Sequence, residues 1–90
     1  MTSRLSIYKT GMTFGGVAAF LHVLWSLLVA LGGAEYMLNF VFALHFLDNP
    51  HTVGSFNIVQ ACFLVLIAGV IGYGVGSIFA FFWNIVHTPD

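Results

Sequence analysis

Polar positions along this chain gather in three places: the first ten residues, the stretch 48–55, and the last few positions from His87 onward. Between them run two long apolar stretches. No residue from Gly11 to Ala34 is formally charged, and none is from Asn49 to Pro89 when the histidines are neutral. Each stretch exceeds the roughly 20 residues that cross a bilayer core as a helix. A helix satisfies its own backbone hydrogen bonds, whereas an isolated strand pair in hydrocarbon leaves its edges unpaired, so both stretches predict helices. The first is expected over 12–32, stopped by Gly32 and Gly33. The second falls within 56–86, with Ser55 as the expected N-cap and 61–82 as its most apolar part. It is longer than hydrocarbon requires, which predicts tilt or extension beyond the membrane. The aromatic "FFWN" at 81–84 suits an interfacial belt, and "HTPD" ends the helix.

The connector is not a plain loop. "EYMLNFVFALHFL" at 35–47 is mostly apolar yet too short to cross, which predicts an interfacial or re-entrant helix ended by "DNP" at 48–50. On that helix Glu35 and Asn39 share a face and are expected to point to water. Residues 1–11, with Tyr8 beside Lys9, are read as a separate interfacial segment. The expected fold is therefore an all-α membrane protein, one membrane domain over 1–90: a two-span transmembrane helical hairpin with a short interfacial or re-entrant helix in the connector.

Composition sharpens this picture. The chain has 60% hydrophobic and only 6% charged residues, far from the roughly one-quarter charged of a water-soluble domain. Arg4 and Lys9 precede the first span while Glu35 and Asp48 lie between the spans, a bias that puts both termini in the cytoplasm. No basic cluster points to nucleic acid or to an anionic-lipid receptor. Arg4, Lys9 and "LGGA" before Glu35 mimic a cleavable signal, but the apolar run is longer than an ordinary signal core, so it is read as a retained span. Cys62, the only cysteine, reads as a small hydrophobe in the second span. Two helices bury little, and contacts between helices in lipid gain nothing from expelling water, so a partner chain is expected.

Four small residues recur every four positions in the second span: Ala68, Gly72, Gly76 and Ala80, with Gly69, Gly74 and Ser77 close by. Such a stripe lets another backbone come close. The first span carries a matching line of Gly15, Ala18, His22, Ser26 and Ala30, which Gly11 and Gly33 extend. His22 thus lies on the small, polar face, near mid-membrane, where an unpaired polar group costs several kcal/mol. Its simplest role is an interhelical hydrogen bond, to a backbone carbonyl, to Ser77 or to a partner's hydroxyl. The alternative is axial ligation of a haem or chlorophyll, with Trp25 nearby. His45, His51 and His87 lie towards the surfaces, so a bis-histidine pair is not expected, and no histidine pair has the close helical spacing of a metal motif. His45 and His51 flank Asp48 in what reads as a solvated turn. Ser26, Ser55 and Ser77 lack an evident base and orienting acid, so no catalytic residue is assigned.

Ala18 and His22, spaced A-x-x-x-H, resemble over about one turn the pigment-binding span of light-harvesting antenna polypeptides, a likeness that implies pigment ligation by His22. A broader likeness runs over about residues 14–86. Gly72, Gly76, Ala80 and Asn84 read G-x-x-x-G-x-x-x-A-x-x-x-N, with Trp83 beside the last. This is similar to the closing motif of a family of small bacterial two-span membrane proteins of unknown function, whose Trp- and Leu-rich first span matches the region around Trp25. The chain departs from that family at His22, where a small or thiol side chain is usual. The resemblance implies a two-span fold in the bacterial inner membrane. Asn84 is expected to cap or hydrogen-bond near the cytoplasmic surface. Together these readings predict a non-enzymatic structural or accessory subunit of a homo-oligomer or larger membrane complex. Its expected partners are the lipid bilayer and other membrane helices, and no cofactor is favoured.

Overall fold

The computed structural model describes residues 4–88, which form three helices, α1 (Ile7–Leu31), α2 (Ala34–Leu44) and α3 (Ile58–Val86), and no strand. At the ordinary helical rise, α1 and α3 are about 38 and 44 Å long. Both are long and apolar enough to cross a membrane. They pack side by side and antiparallel, with the short α2 between them in the chain. Little else is packed: among the described residues the only buried apolar side chains are Ala34, Ala68 and Ala80. Large apolar side chains cover the outside along both long helices. A surface of that kind suits hydrocarbon and not water.

Local chemistry sets the helix ends, in several places not where the sequence pattern put them. α1 starts at Ile7, because the Ser6 hydroxyl accepts from the Lys9 amide at 3.1 Å. Residues 7–11 are therefore the first turn of the long helix rather than part of a separate interfacial segment. Tyr8 packs edge-on against Tyr73 of α3, with ring centres 6.4 Å apart. The stop at Gly32 and Gly33 is as expected: Gly32 is left-handed (φ 82°), its amide donates to Val29 O, and the Gly33 amide donates to Leu28 O. These two bonds satisfy carbonyls that the helix would otherwise leave open. α3 is capped by Asn57, not Ser55; the Asn57 carboxamide oxygen accepts from Val59 and Gln60.

Glu35 and Asn39 are both exposed, as expected, and both also hold the connector. Glu35 Oε1 accepts from the Val53 amide at 2.8 Å, and Asn49 Nδ2 donates to Asn39 Oδ1 at 2.9 Å. The carboxylate also sits in the first turn of α2, where the helix dipole favours it.

α2 ends in the same paired-bond stop as α1, but on a residue poorly suited to it. Phe46 has φ 60°, its amide donates to Ala43 O, and the Leu47 amide donates to Phe42 O. Its side chain is 97% exposed, so packing does not offset the strain. A left-handed residue with a Cβ costs about 1 kcal/mol or more. Phe46→Gly should therefore tighten this turn, slowing hydrogen exchange at the Leu47 amide about fivefold. An unchanged rate would mean that the turn is not strained.

Candidate functional site

The seam between α1 and α3 is built from glycine. Ala68, Gly72, Gly76 and Ala80 are the buried residues of α3, and Gly11 and Gly15 those of α1. A Cβ at Gly72 would lie 2.8 Å from the Ala18 Cβ and from Phe14 O, and 3.0 Å from the Gly15 Cα. One at Gly76 would lie 2.7 Å from Thr10 O and from the Phe14 Cβ, and one at Gly15 2.8 Å from Gly69 O. The missing side chains thus let two backbones touch. The stripe on α3 faces this chain's own α1.

The line predicted on α1 follows the seam only part of the way. Gly15 is buried and Ala18 half-buried against Gly72, whereas Ser26 is half-buried away from the stripe and Ala30 is exposed. The close glycine contacts between the helices are confined to Gly11 and Gly15 of α1 and to Gly69, Gly72 and Gly76 of α3, towards the end that holds the termini. Nearer the connector a cavity of about 540 Å³ opens, lined by Trp25, Ser26 and Val29 of α1, by Leu38, by the 51–57 segment, and by the start of α3. Phe14 and Tyr73 also shape the seam, although a spacing of small residues does not signal them. Phe14 covers Gly76 and its ring lies 5.3 Å from that of Phe79, while Tyr73 covers Gly11.

His22 does not bridge the two helices. Its Nδ1 lies 2.8 Å from Ala18 O, one turn back on α1. A carbonyl oxygen only accepts, so Nδ1 must carry the proton, and in the neutral ring Nε2 is then left with its lone pair. No described residue meets Nε2, and the ring borders an open apolar groove of about 600 Å³ walled by Ala18, Leu21, Leu64, Ala68 and Ile71 among others. Ser77 is not within its reach, since it stands near Gly11 at the opposite end of the seam. The Ser77 hydroxyl is buried there without a hydrogen-bond partner among the described residues.

Asn84 has a definite task. Its Oδ1 accepts from the Leu5 amide at 2.6 Å and its Nδ2 donates to Leu5 O at 2.9 Å, so one carboxamide holds both polar groups of a single residue preceding α1. Beside it, Phe79, Trp83 and His87 stack in succession down α3, Trp83 and His87 with ring centres 3.8 Å apart. His45 and His87, like His22, bond through Nδ1 to the carbonyl one turn back. His51 lies against Phe42. Among the described residues no three histidine, cysteine or acidic side chains gather as a metal site, and Cys62 is exposed on α3.

No protein-family model, curated protein or solved structure matches this chain.

Proposed function

We propose that the protein is a non-enzymatic membrane hairpin that serves as a structural or accessory subunit, in a homo-oligomer or a larger membrane complex. It would lie in a bacterial inner membrane with both termini in the cytoplasm, as Arg4 ahead of α1, Lys9 in its first turn and the closing motif of α3 favour. The observation that carries the reading is His22 Nε2: a ring nitrogen without a partner among the described residues, beside a groove open to the outside, at mid-depth of an apolar helix. In hydrocarbon such an atom draws a donor from a neighbouring helix, an interaction worth about 1 kcal/mol. The small-residue stripe contributes by holding the hairpin together, while Ala68 and Gly72 also border the groove beside His22.

The same atom favours a second reading, a haem- or chlorophyll-type carrier. An imidazole whose Nδ1–H is held by a backbone carbonyl has the tautomer and orientation of an axial ligand through Nε2.

His22→Leu separates the two. Under the subunit reading it weakens self-association or copurification in mild detergent about fivefold, with no visible absorption band in either protein. Under the carrier reading the native protein shows a Soret or chlorophyll band that the variant lacks. Unaltered association together with a featureless spectrum overturns both.

A further inference from the structure

The cavity at the connector end of the hairpin has a use that the subunit reading does not need. Its volume, about 540 Å³, is that of a small-ligand site. Part of its lining is apolar, with Val29, Phe63, Leu64 and Ile67. The rest includes residues with hydrogen-bonding side chains from three separate segments: half-buried Trp25 and Ser26 from α1, exposed Ser55 from the connector, and exposed Gln60 from α3. None of these side chains has a hydrogen-bond partner within the described residues. Ser26 lies about one and a half turns from the end of α1 and Gln60 in the first turn of α3, so these polar groups sit near the ends of the spans, where hydrocarbon gives way to head groups.

Charge narrows the occupant. No Lys, Arg, Asp or Glu lines the cavity, and the exposed His51 ring is its only titratable side chain. Glu35, bonded to the amide of the lining residue Val53, places a carboxylate just outside. A phosphate or carboxylate head would find no cation there and one anion nearby. A hydroxyl or carbonyl head would find both donors and acceptors: the indole N–H only donates, the serine hydroxyls do either, and the carboxamide does both. We propose that this cavity binds one uncharged amphiphile, its hydroxyl or carbonyl head against Trp25, Ser26, Ser55 and Gln60 and its hydrocarbon tail along Leu64 and Ile67.

Trp25 reports on the site directly. In a Trp83→Phe protein, held in phosphatidylcholine nanodiscs, Trp25 is the only tryptophan. Dioleoylglycerol brominated on its chains should quench it saturably, and unbrominated dioleoylglycerol should restore the signal. Brominated phosphatidylglycerol should quench only weakly and in proportion to its amount. Ser26→Leu with Gln60→Leu removes two hydrogen-bonding groups and fills space, and should weaken binding by about tenfold or more. Gly16→Leu serves as a control, since its surroundings are open and binding should persist. Quenching that never saturates, that phosphatidylglycerol matches, or that survives the double substitution overturns the proposal. So does a Trp25 shielded from every brominated lipid, because a protein segment would then fill the cavity.

Discussion

Gly72→Leu should open the hairpin. Its new Cβ would sit 2.8 Å from the Ala18 Cβ and Phe14 O and 3.0 Å from the Gly15 Cα, closer than such atoms approach, and two of those three neighbours are backbone. Backbone cannot swing aside as the tip of a long side chain can, so the helices themselves must separate. Overpacking of this kind costs about 1–3 kcal/mol in a well-packed core. In lipid no expulsion of water draws the helices together again. Nitroxide labels at Ile7 and Ile85, both exposed and both at the end where the termini meet, measure the outcome once Cys62 is replaced by serine. The native hairpin should give one narrow distance distribution, and Gly72→Leu a broad one shifted to longer distances. Gly16→Leu, with nothing within 4 Å of its added Cβ, should leave the native distribution intact. A narrow, unshifted distribution in Gly72→Leu would mean that the seam does not depend on the glycine.

This seam changes what a substitution in the stripe can say about assembly. From the sequence, a bulky residue at Gly76 is a probe of contacts between chains. In the folded chain, Gly76 is covered by Thr10 and Phe14 of the same molecule. A loss of assembly in Gly76→Leu would therefore be secondary to a broken hairpin. His22, which borders the open groove and is absent from the close contacts of the seam glycines, is the better probe of a partner.

The hydropathy pattern made three features legible: two long helices, a short one between them, and the closing face of α3. Charge-free runs of that length permit few alternatives in hydrocarbon, and a spacing of four in small residues marks a face whatever it packs against. The pattern did not say whose helix fills that face. Composition cannot distinguish contact within a chain from contact between chains, and only the antiparallel register of α1 and α3 decides it. The pattern on α1 failed beyond His22 for a related reason. Ser26 and Ala30 continue the small-residue spacing, but a spacing carries no information about how far along two helices the close contact extends. The predicted cap at Ser55 lost to Asn57 because both are good caps two residues apart, and the geometry of the 51–57 segment selects between them. Gln60, one polar residue at the margin of an apolar run, carried no reading from the sequence. Its meaning appears only when Trp25 and Ser26 are seen to line the same cavity.

Asn84→Leu should release the segment that leads into α1. Leu and Asn are alike in size, so packing changes little, but the Leu5 amide and carbonyl both lose their partner. Two hydrogen bonds in a half-buried position are worth about 2 kcal/mol together. Hydrogen exchange at the Leu5 amide should accelerate by about tenfold or more. The amides of Val59 and Gln60, held by Asn57 at the other end of the molecule, should not change. Asn84→Asp tests the chemistry more finely: it keeps an acceptor for the Leu5 amide but sets a carboxylate oxygen against Leu5 O, where the amide had donated. It should therefore protect the segment less well than the native residue does. Equal protection in all three proteins would show that the segment is held by packing alone. The fourth position of the G-x-x-x-G-x-x-x-A-x-x-x-N pattern thus has a different physical basis from the first three. Gly72, Gly76 and Ala80 are needed for what they lack, while Asn84 supplies a donor and an acceptor on one short planar group, which is what pairing both polar groups of a single backbone residue requires.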